Sequence, residues 1–321
     1  MIPADMQILT LPVFIVGVIF LWKGSDILVD GTSKTAAHIG ISTLIISVIL
    51  VGFGTSAPEF AVSVGAAIQN NSGISLGNII GSCIANLFLV LGIAAIIRPI
   101  KIKKGILKRE APIMLCATFA LLLFALLGLL DKFHIIGGII FCILFGVFVF
   151  FFLYCAKKER DNSKEVNTEK TAKNILFIIL GIVGVIAGAW FLLESAVCIA
   201  DYFRVPQIVI AISMVAIGTS LPELVVSSMA AYRGKSDIAV GNVLGSNVFN
   251  ILLVLGFAAL FIPLNTIESI SHIVILFIVS ILIFPILYTG QKISRIEGVF
   301  LLIVYSVFMW YTFFGSDFIT L

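Results

Sequence analysis

The sequence predicts an all-α polytopic membrane protein: ten transmembrane helices in two inverted-topology repeats of five. Three observations carry this expectation. Of 321 residues, 60% are hydrophobic and 12% charged, where a soluble domain carries about 25% charged residues. Apolar runs long enough to cross a bilayer, about 20 residues each, recur along the chain. The stretch 52–92 returns without a gap at 216–256, with roughly half its positions identical, as expected of a duplicated half-protein.

Taken in order, the first five spans are 8–29, 41–68, 74–97, 111–130 and 135–155. The first follows MIPADMQ, which is acidic and lacks the basic flank of a signal peptide, so this run is expected to stay as a helix. The second holds GTSAPE at 54–59 and the third GNIIGS at 77–82. The second five are 175–200, 205–232, 238–262, 273–287 and 299–314. Here the seventh holds GTSLPE at 218–223 and the eighth GNVLGS at 241–246. Between the halves, 156–173 mixes both charges without an apolar period and reads as a solvated linker. The expected organisation is a first repeat at 1–155, a linker at 156–173 and a second repeat at 174–321.

Basic residues give the orientation. Arg98, Lys101, Lys103, Lys104, Lys108 and Arg109 follow the third span, and Lys157, Lys158, Arg160, Lys164, Lys170 and Lys173 follow the fifth. Arg233 and Lys235 follow the seventh, and Lys292 and Arg295 the ninth. The alternate connections are poor in base. By the positive-inside rule both termini are extracellular and the 156–173 loop is cytoplasmic, in a multi-pass plasma-membrane protein. Five spans per half is odd, so the second half enters the membrane upside down, an architecture typical of secondary transporters.

Composition also excludes classes. There is no long basic run outside the membrane-flanking loops, so no nucleic-acid partner is expected. Cys83, Cys116, Cys142, Cys155 and Cys198 are scattered through apolar runs, which supports neither a disulfide frame nor a zinc site. No HExxH, GxSxG or paired intramembrane Asp suggests an enzyme.

The chemistry concentrates in the two copies. Glu59 and Glu223 lie inside apolar spans. A carboxylate at that depth costs about 2.5–3.5 kcal/mol or more, and normally faces the bundle interior on an ion or proton path. Thr55 and Ser56 precede Glu59 by four and three residues, so their oxygens share one helix face with it; Thr219 and Ser220 stand in the same relation to Glu223. Pro58 and Pro222 cannot donate to the carbonyls of Gly54 and Gly218, which adds oxygen ligands where irregular backbone lines a cavity. Such an all-oxygen set suits hard cations such as Na⁺ and Ca²⁺. Asn78, Ser82 and Asn86 form a stripe along the third span, and Asn242, Ser246 and Asn250 along the eighth. Asn78 and Asn242 read as interhelical hydrogen-bond glue, Asn86 and Asn250 as cation ligands. The pairs Gly77/Gly81 and Gly241/Gly245 permit close backbone approach. Asp26 and Glu194 read as structural, with Lys23 placed to pair with Asp26 along one helix face. His38, His134 and His272 read as polar residues at span ends.

The paired GTSxPE and GNxxGSxxxN motifs, in two inverted halves, resemble the alpha repeats of the sodium/calcium exchangers within the calcium/cation antiporter superfamily. The resemblance implies Na⁺/Ca²⁺ antiport by alternating access, with the first and sixth helices sliding across the core. It makes Glu59 and Glu223 the central ligands, with Thr55 and Thr219 beside them. Ser56 with Gly52, and Ser220 with Ala216, would complete flanking Na⁺ sites. Ser82, Asn86, Ser246 and Asn250 would line the middle. Some relatives carry Asp at the position of Asn250; Asn in both halves argues against K⁺ co-transport. No cofactor is implied, only Ca²⁺ and Na⁺ as transported ions, and a monomer in the lipid bilayer is expected. Two carboxylates carry about −2, so one Ca²⁺ neutralises the site and three Na⁺ leave +1, which makes exchange electrogenic. The alternative is a Ca²⁺/H⁺ antiporter using the same two glutamates. A passive cation channel is a further rival.

Overall fold

The structure is a computed structural model describing residues 4–103, 105–161, 168–202 and 218–314. Of the sequence expectations, Lys104, linker residues 162–167, positions 205–217 of the seventh span (Ala216 among them) and the extreme ends of the chain lie outside the described residues. Eight described helices are long and apolar enough to cross a membrane, or nine if a bent pair counts as one span.

Helix α1 is Ala4–Ile39. It continues about ten residues past the apolar run, because nothing breaks it before Gly40, whose φ of 76° only glycine adopts readily. The bent pair follows: α2, Thr43–Thr55, and α3, Ala57–Ile68, meeting at 47°. Next come α4, Ser72–Ile97, and α5, Ile106–Leu126. Helix α6 is His134–Asp161 and α7 is Thr168–Tyr202, so most of the described part of the 156–173 segment continues these two helices. The second half resumes with α8, Leu221–Tyr232, and α9, Ser236–Ala258. It closes with α10, Ile270–Tyr288, and α11, Arg295–Phe314.

Two helices form the centre. Within their apolar windows, 94% of α9 and 78% of α4 is buried, against 17–39% for the other long helices. The outer helices expose Ile139, Ile143, Val147, Phe150, Ile303 and Trp310, as a lipid-facing surface would. One core joins both halves: Ile79, Leu87 and Met114 pack in it with Val243, Ile251 and Leu276.

Helices α1 and α7 run antiparallel along a glycine seam. An added Cβ at Gly17 would lie 2.8 Å from the Leu192 nitrogen, one at Gly24 2.8 Å from the Val185 nitrogen, and one at Gly188 2.5 Å from the Leu21 nitrogen. Only hydrogen in place of Cβ lets the two backbones approach this closely.

The connections gather at two rims. At one, β1 (Ile100–Lys101) pairs antiparallel with β2 (Lys292–Ile293). There the Lys101 amide donates to Ser236 Oγ at 3.1 Å, Lys103 pairs with Asp237, and Arg109 lies 3.9 Å from Glu159. At the other, the Leu264 amide donates to the Leu130 carbonyl at 2.9 Å, and the Thr266 amide donates to Asp131 Oδ1 at 2.7 Å. Helices α5, α6, α9 and α10 each run from one rim to the other.

Candidate functional site

Each copy of the repeat breaks its helix at the same place. Pro58 lacks an N–H and its ring would clash with the carbonyl four residues earlier, so the helix cannot run through. It sits instead in the first turn of α3, where no N–H is needed. Pro222 does the same in α8. Ser56 and Ser220 occupy the two breaks, at φ −85°, ψ 11° and φ −85°, ψ 3°. The break turns Thr55, Ser56, Glu59 and their counterparts Thr219, Ser220, Glu223 inward. Glu59 and Glu223 are both 0% exposed, and lie near enough for their charges to act on one another.

Helices α4 and α9 face these breaks, and both contain π-helical turns beside the site, at Asn86–Val90 and Phe249–Leu255, a feature frequent at functional positions. The α2–α9 contact is backbone on backbone. An added Cβ would lie 2.5 Å from the Val48 carbonyl oxygen at Gly245, and 2.9 Å from Ser47 Cβ at Gly241. At Gly77 and Gly81 it would meet nothing within 4 Å among the described residues; the positions matching Ser47 and Val48, 211 and 212, lie outside them.

The hydrogen bonds cross between copies and repeat. Thr55 Oγ1 donates to Asn242 Oδ1 at 2.9 Å, and Thr219 Oγ1 donates to Asn78 Oδ1 at 3.1 Å. The Asn242 amide donates to Ser227 Oγ at 3.0 Å and the Glu223 carbonyl at 3.4 Å. The Asn78 amide donates to Ser63 Oγ at 2.8 Å and the Glu59 carbonyl at 3.4 Å. Asn78 and Asn242 thus spend both ends of their amides on protein partners, which agrees with their reading as glue. Ser82 Oγ lies 3.3 Å from Thr219 Oγ1, and Ser246 Oγ 3.4 Å from Thr55 Oγ1.

The correspondence stops at the carboxylates. Glu223 Oε1 accepts from Ser56 Oγ at 2.8 Å and from Ser246 Oγ at 3.3 Å. Glu59 Oε1 and Oε2, Glu223 Oε2, Ser220 Oγ, Asn86 Oδ1 and both amide atoms of Asn250 are buried with no hydrogen-bond partner among the described residues. Buried polar atoms are nearly always paired, and a cluster that is not points to a missing partner such as an ion. Gly52 contributes its carbonyl, which accepts from Ser246 Oγ at 3.2 Å. The structure therefore links Thr55, Ser56, Ser82, Thr219, Glu223, Ser246 and Gly52 in one buried polar centre, with Glu59, Asn86, Ser220 and Asn250 buried within a turn or so of these residues on the same segments. Among the described residues no group of three or more His, Cys, Asp or Glu side chains could hold a metal; the hydrogen-bond partners of the Glu223 carboxylate among them are the neutral hydroxyls of Ser56 and Ser246.

Three members of the frame were missed in the sequence. Ser63 and Ser227 stand at matching places in the copies, so the repeat itself carried the signal. Asn247 stands opposite Cys83, where the copies differ. One pairing is corrected: Asp26 is bound by Arg233, just past the end of α8, rather than by Lys23. The Lys23 ammonium lies instead over the Trp22 ring, 4.7 Å from its centre, and an Arg at the rim offers Asp26 a fork of donors. Glu194 is exposed on α7.

Comparison with known proteins agrees with this arrangement. The profile of the sodium/calcium exchanger protein family matches residues 9–154 and 173–314. Sodium/calcium exchanger MaX1 of Methanosarcina acetivorans is 33% identical, over 92% of this chain and 96% of its own. Membrane protein MJ0091 of Methanocaldococcus jannaschii is 35% identical, over 94% and 97%. A solved structure of the sodium-calcium exchanger NCX_Mj superposes with a TM-score of 0.82 at 34% identity, covering 94% of this chain and 98% of that one. With its duplicated motifs, broken helices and buried carboxylate pair, the chain belongs to the sodium/calcium exchanger protein family.

Proposed function

We propose that this protein exchanges Na⁺ for Ca²⁺ across the plasma membrane by alternating access, with net charge movement. As a member of an exchanger family it is a transporter of cations, not an enzyme, and needs no cofactor. The observation that carries the reading is the set of buried oxygens without partners at Glu59, Asn86, Ser220, Glu223 and Asn250. A Ca²⁺ ion takes 6–8 oxygen ligands at about 2.3–2.6 Å, and this set, with Thr55, Thr219, Ser82, Ser246 and the Gly52 carbonyl, supplies oxygen and no soft donor. The relatives named as sodium/calcium exchangers support the choice of ions.

The rim contacts support the proposed topology. Connections rich in base meet one another, and connections poor in base meet at the other rim. The end of α4 reaches the first rim, where Arg98 donates to the Tyr232 carbonyl at 3.4 Å. Its counterpart α9 ends toward the second. Opposed copies in ten spans, with both termini outside, account for this. We assign the two glutamates the central role, the Thr, Ser and Asn oxygens the flanking roles, and Ala216 the place matching Gly52. That all the described site residues come from one chain supports action as a monomer.

The test is Ca²⁺ uptake into proteoliposomes loaded with Na⁺. An outward Na⁺ gradient is expected to drive uptake, and a positive interior is expected to speed it, since three Na⁺ leave for each Ca²⁺ that enters and one net positive charge moves out. The lever is about 2.3 kcal/mol per charge per 100 mV. Uptake driven by a pH gradient and indifferent to Na⁺ would make it a Ca²⁺/H⁺ antiporter instead.

A further inference from the structure

Position 247 is one of the places where the two copies differ: Asn247 stands in the second and Cys83 in the first. Asn247 is 1% exposed. Its Nδ2 donates to the backbone carbonyl of Cys83 at 3.1 Å, and also faces Met114 Sδ at 3.9 Å. A carbonyl can only accept, so this contact fixes which way round the Asn247 amide lies. Its Oδ1 must then face Asn86, and Asn86 can meet an acceptor only with its own NH₂. The Asn86 Nδ2 to Asn247 Oδ1 distance is 3.0 Å. Asn86 Oδ1 is the end left over, buried and without a hydrogen-bond partner among the described residues. Asn250, the matching residue of the other copy, has both Nδ2 and Oδ1 without such a partner, so among the described residues nothing of the kind holds its amide.

We propose that Asn247 is a positioning residue that locks the Asn86 amide with its oxygen toward the transported cation. Its own polar atoms are consumed by Cys83, Asn86 and Met114, so it is not itself a ligand. An amide presents an acceptor at one end and two donors at the other, and a cation is bound only by the first. The two halves of the site are therefore unequal: Asn86 offers a fixed oxygen, while the Asn250 amide is left to turn. This inference rests on the ion-site reading given above.

The test measures Ca²⁺ uptake by Asn247→Ala and Asn247→Cys, each alone and combined with Asn86→Asp. Cysteine is what the first copy carries at this place, so the second variant decides should the first fail to fold. In the wild-type background each is expected to raise KM for Ca²⁺ about fivefold, equal to about 1 kcal/mol and to one neutral hydrogen bond. In Asn86→Asp both terminal atoms are oxygens and no orientation has to be chosen. There the same substitutions are expected to change KM by less than about twofold, or to lower it, because the Asn247 oxygen would face a carboxylate. An equal rise in both backgrounds marks a merely structural residue and overturns the proposal, as does no rise in the wild type. If Asn86→Ala and Asn86→Asp themselves leave KM unaltered, the ion-site reading fails and this inference with it.

Discussion

The hydroxyl of Ser56 donates to Glu223 Oε1 at 2.8 Å, so a side chain of the first copy holds the carboxylate of the second. The reverse contact is missing. Ser220 Oγ and both oxygens of Glu59 have no hydrogen-bond partner among the described residues. Two copies of one motif thus hold their carboxylates differently in the same molecule.

That difference predicts unequal costs. A hydrogen bond to a charged group contributes about 1.5–3 kcal/mol, so Ser56→Ala is expected to destabilise the ion-free protein by that amount. Ser220→Ala removes no hydrogen bond made among the described residues and is expected to cost less than about 0.5 kcal/mol, as unremarkable substitutions do. Thermal unfolding in detergent with ions removed is the measurement, and equal losses would contradict the asymmetry.

Glu59→Gln and Glu223→Gln each halve the negative charge of the site. A unit pair at 4 Å is worth about 4 kcal/mol at an effective dielectric of about 20, so Ca²⁺ flux is expected to drop by a factor on the order of 100 or more. Without ions, both variants should unfold at the same or a higher temperature than wild type, because a buried charge no longer has to be accommodated. The rise in Tm on adding Ca²⁺ should vanish. Retained flux in either variant would sink the assignment.

Two glycines on neighbouring helices are expected to respond oppositely to one added carbon. At Gly245 the Cβ of alanine would lie 2.5 Å from the Val48 carbonyl oxygen, an atom of backbone that cannot swing aside, whereas at Gly65 nothing lies within 4 Å among the described residues. Gly245→Ala should cost about 1–3 kcal/mol, as overpacking does. Gly65→Ala in α3 should be neutral or stabilise by up to about 1 kcal/mol, since it removes chain entropy from a helix. Both are read from Tm.

The seam between α1 and α7 predicts that they move as one body. Thr10 Oγ1 and Cys198 Sγ are 3.1 Å apart, so Thr10→Cys should form a disulfide with the native Cys198 on oxidation. Exchange should remain within about twofold of the reduced protein, since loss of that one hydroxyl removes about one neutral hydrogen bond. Inhibition on oxidation, reversed by reductant, would mean that the two helices slide past each other during transport.

Most of the site was legible because the chain states it twice. GTSxPE and GNxxGSxxxN recur at equal spacing, and a carboxylate in an apolar run is too costly to persist there without a role. Pro58 announced irregular backbone, but not its place: spacing alone keeps Thr55, Ser56 and Glu59 on one helix face, whereas the helix ends at Thr55 and restarts at Ala57. Less accessible were features set by partners distant in sequence. Asp26 had Lys23 nearby on its own helix, yet its partner Arg233 comes from the turn that follows α8. Asn247 carried no periodic signal, being a departure from the repeat. The reach of α1 to Ile39 was hidden because hydropathy reports where lipid ends, not where a helix stops; Asp30 and Lys34 lie past the apolar run and still support the helix as an i, i+4 pair.

The glycine seam also bears on how the protein is made. It joins a helix from the first half of the chain to one from beyond its midpoint, and each presents a bared backbone that the other covers. The halves, alike as they are, cannot be finished one after the other. During biogenesis α1 has to wait at the membrane for a partner not yet translated, and a chain stopped before α7 would leave that stripe facing lipid or a chaperone.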